Sequence, residues 1–531
     1  MKESHRQMLA ITLIILVVFG YQKYATKGYK KAPVAASAEI LQKPEVLAPS
    51  VFGIEKEGGS EAFYPEEEYA VETDLYRAVF TSRGAGIKSF YLKKYTDGNG
   101  KEMPLLIEEQ GLTLLHSKIV SPSFDSGQWQ LAEATRNKIV FVLEDKKFVV
   151  RKEYLIDESS YIINMKMSVL NNGNKSMQFN SNLTGAAAAL SNGFIDKRYF
   201  LADVKLGDKT EKRHLGNKKL LEGEVFQGNP VWISVRARYY SFILDPLQPE
   251  TASFLSGKGK DVLSSGIIIG PKEVGPNESA IFSYNFYAGP NVQEEVTKLG
   301  PEFKKYISYG LFSGIARFLL KTLGFFYMIT GNYGIAIILM TLCVSIALFP
   351  LTRKSFSSIK EMQKIQPLVE KIRKECADNP QKMNKEVMAL YKEHKVNPLG
   401  GCLPMFLQFP VFISLYQVLG RSIELKGAAF LWIKDLAEPD AAFLLHAKFP
   451  VIGNQLNILP LLMIGAMIVQ QKVSQPKGGA SNEQQKMMAF IFPIVLGVVF
   501  YNLPSGLVLY WVTNTVITLL VQEVFLKTKL N

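Results

Sequence analysis

The run MMAFIFPIVLGVVFYNLPSGLVLYWVTNTVITLLVQ, Met487 to Gln522, contains no charged residue. As one helix it would be about 54 Å long at 1.5 Å per residue, well beyond a hydrocarbon core of about 30 Å. Asn502-Leu503-Pro504-Ser505-Gly506 gathers turn formers near its middle, so the run divides into two spans, 487–502 and 505–522. Working back towards the N-terminus, three further apolar runs are long enough to cross: 333–349, 399–419 and 452–471. The C-terminal half therefore reads as an α-helical polytopic membrane bundle of five spans, occupying 331–525, with a short tail at 526–531.

Loop charges orient the bundle. The segment 353–396 holds 11 Lys and Arg against 6 Asp and Glu, whereas 421–451 has four of each. Lys472, Lys477 and Lys486 face only Glu483, and the tail carries Lys527 and Lys529. Basic and neutral loops alternate, and basic loops stay in the cytoplasm. The net charge of +13 is thus largely a property of loops between spans and gives little reason to expect DNA or other nucleic acid as the main partner.

The N-terminal half has a different texture. Met8 to Tyr21 is apolar behind Lys2 and Arg6 and reads as a retained anchor over 1–21. The triplet Ala36-Ser37-Ala38 lies too far beyond it, across four lysines, for an ordinary signal-peptide cleavage site. Residues 22–60, rich in Pro and Gly, read as a tether. Within 61–300 the period is two: Tyr161, Ile163, Met165, Met167 and Val169 alternate with Asn164, Lys166 and Ser168, and Asn171-Asn172-Gly173 turns the chain. Lys138 to Asp145, Phe148 to Ile156, Val231 to Leu244 and Ile281 to Tyr287 are further strand candidates, so this region is expected to be an all-β sandwich. Parity places it outside, with both termini in the cytoplasm.

Two helical elements flank the first core span. In 301–330, Ser313, Arg317 and Lys321 recur every four residues opposite Phe312, Ile315, Leu319 and Leu323, the pattern of an interfacial amphipathic helix. In 353–396, Ile359, Met362, Ile365, Val369 and Ile372 form one stripe and Met383, Val387, Leu390 and Tyr391 another. Asp378-Asn379-Pro380 separates them, which predicts a helical hairpin.

Chemistry is sparse. Cys343, Cys376 and Cys402 lack metal-ligand spacing and the five histidines do not cluster, so no metal, cofactor or enzymatic activity is expected. The spans carry no Asp, Glu or His, which counts against the main alternative, a polytopic secondary transporter. No phosphate-binding GxxxxGK[ST] loop is present. What the spans do carry is uncharged polarity: Thr341 and Ser345 on one face of the first, Gln408 in the second, and Trp511, Asn514, Thr515 and Thr518 on one face of the last. Such groups at membrane depth are costly unless paired or wet, so their clustering suggests a hydrated groove. Each hydroxyl also has a bland alternative, a bond to the carbonyl one turn back.

Several motifs then align with one family. Asn397-Pro398-Leu399-Gly400-Gly401-Cys402-Leu403-Pro404, Gly331-Asn332-Tyr333-Gly334, Phe349-Pro350-Leu351-Thr352, Met388-Ala389-Leu390-Tyr391 and Pro504-Ser505-Gly506-Leu507-Val508-Leu509-Tyr510-Trp511 resemble the core of the YidC-type membrane protein insertases. Gly84-Ala85-Gly86-Ile87 and Tyr287-Ala288-Gly289-Pro290 extend a looser resemblance into the β region. The resemblance implies a bacterial inner-membrane protein with a supersandwich-like periplasmic domain, working alone or with the Sec translocon. It implies a groove open to cytoplasm and lipid that takes a newly made membrane protein's polar tail while the apolar segment slides into the bilayer. Ribosomes and membrane lipids are the expected partners of the basic loops, 353–396 and 472–486. One departure stands out: aligned through Phe349-Pro350-Leu351-Thr352, Ser345 occupies the position where these proteins usually carry a groove arginine.

Overall fold

The computed structural model describes residues 65–527 apart from 98–99, 123–127, 190–193, 260, 377–378, 395, 397–402, 450–452 and 475–482. The predicted anchor and tether, 1–21 and 22–60, lie outside the described residues. Contacts divide the chain into two units, Met1–Lys94 with Glu102–Tyr306, and Tyr95–Lys101 with Ile307–Asn531.

The first unit is a β sandwich. Its largest sheet has nine antiparallel strands in the order Lys209–His214, Leu201–Leu206, Pro230–Arg236, Tyr240–Pro246, Ser279–Pro290, Ile162–Asn171, Phe148–Ile156, Lys138–Glu144 and Gln130–Ala134. A five-stranded sheet, centred on Val262–Val274 and Met177–Ala189, faces it, and a four-stranded sheet begins at Glu68. Alternation does the work the sequence implied: Ile163, Met165, Met167 and Val169 are buried, and Asn164 and Lys166 are exposed. Phe179 and Phe282 meet between the two larger sheets with ring centroids 5.9 Å apart. Gly185 permits that approach, since a Cβ there would sit 2.6 Å from Leu244.

One strand prediction needs correcting. Val231 to Leu244 is not one strand but a hairpin, Pro230–Arg236 and Tyr240–Pro246, closed by the Ala237 N–H donating to Tyr240 O at 2.9 Å. Apolar content at both ends masked the turn at Ala237-Arg238-Tyr239. The loop Gly84-Ala85-Gly86-Ile87 is pinned from below by two buried side chains: the Tyr154 hydroxyl donates to Ala85 O, and the Lys152 ammonium donates to Leu115 O and to Ser117 Oγ at 2.8 Å. Burial pushes the Lys152 pKa well below its ordinary value.

The second unit is helical: α1 (Ser313–Thr330), α2 (Tyr333–Glu375), α3 (Pro380–Glu393), α4 (Leu403–Leu419), α5 (Ile458–Ser474), α6 (Glu483–Phe500) and α7 (Ser505–Lys527). Helices α1, the first 30 residues of α2 and most of α7 are each long and apolar enough to cross a membrane; the apolar parts of α4, α5 and α6 are shorter. Three differences from the expected segments emerge. The first core span and the first half of the hairpin are one continuous helix of 43 residues, running through Pro350 and Pro367. Span 452–471 starts later, at Ile458, because Gly453–Leu456 pairs as a strand with Phe443–Phe449. Helix α1 buries Ala316, Leu319 and Leu323, yet Phe318, Phe325, Met328 and Ile329 are also exposed, so it has two apolar sides rather than one.

Candidate functional site

The polar residues singled out in the sequence come from α2, α4 and α7. On α2, Thr341 is fully buried and its hydroxyl donates to Ile337 O at 2.6 Å. The Ser345 hydroxyl, one turn on and half-buried, donates to Thr341 O at 2.8 Å and lies 3.4 Å from Asn514 Oδ1 of α7. Thr515 and Thr518 donate to the carbonyls one turn back, Trp511 O at 2.8 Å and Asn514 O at 2.7 Å. For these four hydroxyls the proton is spent locally, as the bland reading holds. Their oxygen lone pairs stay available.

Two contacts join helices. Ser345 and Asn514 link α2 to α7. Gln408 of α4 donates its side-chain amide to the hydroxyl of Tyr510, which is buried on α7 one helical turn from Asn514. Trp511 goes elsewhere: its ring packs edge-on against Phe412 of α4 and Phe500 of α6, with centroids 5.2 and 5.1 Å away, and those two rings lie 5.5 Å apart. The structure thus assembles a polar seam of Ser345, Asn514, Tyr510 and Gln408 beside an aromatic wedge. Tyr510 was passed over because it reads as core; its signal was its place one position before Trp511, facing the Gln408 helix.

A second polar group, not anticipated, closes one end of the helices. The loop between α4 and α5 folds over the N-termini of α2 and α7. The N–H groups of Ser505 and Gly506, which have no partner within their own helix, donate to Glu438 O at 2.8 Å and Leu436 O at 2.9 Å. The Ser505 hydroxyl donates to Asp435 O at 3.0 Å, and the Asn332 amide to Ala429 O at 3.2 Å. Lys426 clamps the loop through Asp435 at 3.0 Å and Glu438 at 3.2 Å. Burial opposes its charge, but the two carboxylates hold its pKa above the usual lysine value. Asn457 and Tyr501 tie the start of α5 to the end of α6. Beneath this cap Ile423, Leu425, Ile433, Leu436, Ile337 and Met340 are buried, so the layer under the clamp is apolar. Five charges within 426–440, Lys426, Lys434, Asp435, Glu438 and Asp440, were the sequence signal for it.

Among the described residues no group of three or more His, Cys, Asp or Glu is placed to hold a metal. The seam offers hydrogen-bonding capacity without charge.

Comparison with known proteins gives this arrangement a family. The family described as 60Kd inner membrane protein matches residues 325–531, and the YidC periplasmic domain family matches 68–322. The "Membrane protein insertase YidC" of Nitratidesulfovibrio vulgaris (strain DP4) is 32% identical over 97% of this chain and 98% of its own length. That of Geotalea daltonii is 30% identical over 97% of both. A crystal structure of an active YidC insertase with its first transmembrane domain resolved is 19% identical over 86% of this chain and 93% of its own, with a TM-score of 0.38. The chain belongs to the YidC family of inner-membrane protein insertases. Membership leaves the transporter alternative without support.

Proposed function

We propose that this protein inserts newly made membrane proteins into the bacterial inner membrane, using the seam between α2, α4 and α7 to receive a substrate's short polar segment. Kinship along almost the whole chain with proteins named as membrane protein insertases carries the activity. The seam supports the route: Asn514, Gln408 and the hydroxyl oxygens of Ser345 and Thr518 are half-buried rather than sealed, so they can exchange water for a peptide's polar groups. The apolar segment that follows then partitions into lipid, at about 25 cal/mol per Å² removed from water, without nucleotide.

The capped end of the helices is the periplasmic end in this reading. Loop charge supports it: the clamp loop is neutral overall, while the hairpin formed by α3 and the distal part of α2 is strongly basic. Both termini are then cytoplasmic, the β unit periplasmic, and the loops 353–396 and 472–486 face ribosomes, with the Sec translocon a lateral partner. Insertion by the purified protein in nucleotide-free proteoliposomes tests the proposal, with a single-span substrate scored by protease protection of its translocated end. Protection well above that of empty liposomes is expected; a folded protein giving only the liposome background would overturn autonomous insertion.

A further inference from the structure

The clamp loop carries a feature that neither the seam nor the cap requires. Phe430 and Ile433 exchange backbone hydrogen bonds, both 2.8 Å, enclosing a two-residue turn made of Leu431 and Trp432. Such turns normally hold Asn, Asp or Gly, because a central position needs positive φ. Here Leu431 adopts φ +52, a left-handed conformation that is costly for a bulky residue. The side chain held at this cost is 75% exposed. Trp432 is 39% exposed, and its ring nitrogen donates back to Asp440 Oδ2 at 3.3 Å, leaving the carbocyclic edge to face out. From the strand Phe443–Phe449 of the same loop, Phe443 and Leu444 add side chains 59% and 71% exposed. Water is a poor environment for this set.

The position of the turn says what replaces water. The Phe430 ring fills the space above Gly334, where a Cβ would sit 2.1 Å from it, and Asn332 holds Ala429 O. The turn is therefore fixed at the first residues of α2, the most hydrophobic of the three helices among the described residues that are long enough to cross a membrane. The outward surface of that helix begins at once with Ile335 and continues through Leu342 and Ile346, all exposed. The turn prolongs the surface by which α2 meets acyl chains, at the depth where Trp is favoured. We infer that the Leu431-Trp432 turn, with Phe443 and Leu444, is inserted into the interfacial zone of the adjacent phospholipid leaflet and anchors the cap there. This inference rests on membrane embedding alone and stands or falls independently of the polar seam.

The test uses the full chain in phospholipid vesicles, with Cys343, Cys376 and Cys402 replaced by Ser and a nitroxide attached through Leu431→Cys, Leu444→Cys or Lys434→Cys. Lys434 is exposed and lies two residues beyond Trp432. Collision rates with oxygen, which concentrates in lipid, and with a water-soluble nickel chelate are compared. The expected result is a several-fold preference for oxygen at 431 and 444 and the reverse at 434. Nickel-dominated collisions at 431 and 444 would place the turn in water and overturn the inference. Exclusion of both reagents there would place it against protein, a second copy or a partner, and would equally overturn it. Position 444 reads the same surface should the label at 431 distort the turn.

Discussion

Ser345 decides how much charge the seam can bring to bear. With Asn514 Oδ1 at 3.4 Å and Thr341 O at 2.8 Å, its surroundings are acceptors, ready for a cation that the chain lacks. Ser345→Arg is therefore expected to fold, to bond Asn514, and to favour substrates with acidic tails over neutral ones in the proteoliposome assay. If both variants insert the two substrate types equally, charge at this position has no role. Gln408 and Tyr510 present the complementary case, polarity that holds helices together. Tyr510→Phe leaves the Gln408 amide short of an acceptor at depth, at a cost of roughly 1–3 kcal/mol. A clear drop in melting temperature with acidic and neutral substrates equally impaired is the expected result; unchanged stability would show that water replaces the hydroxyl without loss.

In the β unit, Asp245 gives a pH signature. Burial and, more weakly, Glu302 raise its pKa to about 6 despite a hydrogen bond from Asn285. Because the folded value lies above the unfolded one, ionisation at neutral pH costs stability, and the cost disappears as pH falls through 6 towards 4. Asp245→Asn should thus raise the unfolding free energy of the β unit at pH 7.5, read from urea titration, by about 1 kcal/mol after discounting for partial hydration. The two proteins should converge near pH 4. An equal gain at both pH values would mean that the carboxyl's charge is irrelevant.

At the scale of elements, the clamp loop matters most. Lys426 satisfies two acids, so Lys426→Met removes a cation and strands Asp435, which is mostly buried. Breaking a buried pair from one side costs about 3–5 kcal/mol, and less is expected here because Glu438 reaches water. The loop should loosen from Ser505 and Gly506, and proteoliposomes should leak protons faster than those with the unmodified protein. A tight, stable variant would show that the backbone bonds to α7 suffice. Elements also show where sequence patterns reach their limit. Period two located the strands Lys138–Glu144, Phe148–Ile156, Ile162–Asn171 and Ser279–Pro290, because side chains alternate across a sheet whatever its partners. It could not resolve the Val231–Leu244 hairpin, where both strands are mainly apolar. Hydropathy located the apolar helices, yet it could not see that α2 continues past Pro350, since a change of composition need not break a helix backbone.

For the molecule as a whole, the division into a β region and a helical membrane region was legible, and so was the family, through motifs such as Pro504–Trp511. The polar set was legible as residues and not as pairs. Spacing put Trp511 and Asn514 on one face of α7, but only packing could send one to Phe412 and the other to Ser345. The cap left only its charges as a trace in the sequence: the backbone carbonyls of Leu436 and Glu438, which leave none, hold the start of α7. Orientation is open to direct measurement. In right-side-out vesicles, an impermeant maleimide should label Cys376, which lies at the end of α2, only after permeabilisation, while external protease removes the β unit. Labelling of Cys376 in sealed vesicles would reverse the assignment.

The unbroken run of α2 has a mechanical side. Forty-three residues in one helix make a rod of about 65 Å at 1.5 Å per residue, with Ser345 a third of the way along and the basic hairpin at its far end. A rod transmits torque where a jointed span and loop would dissipate it. The Asn332–Ala429 hydrogen bond holds the capped end of this helix and the Ser345–Asn514 contact its first third, while Pro350 and Pro367 each remove a backbone hydrogen bond farther along. Bending is therefore concentrated past the seam, where the hairpin can lean without a change of fold.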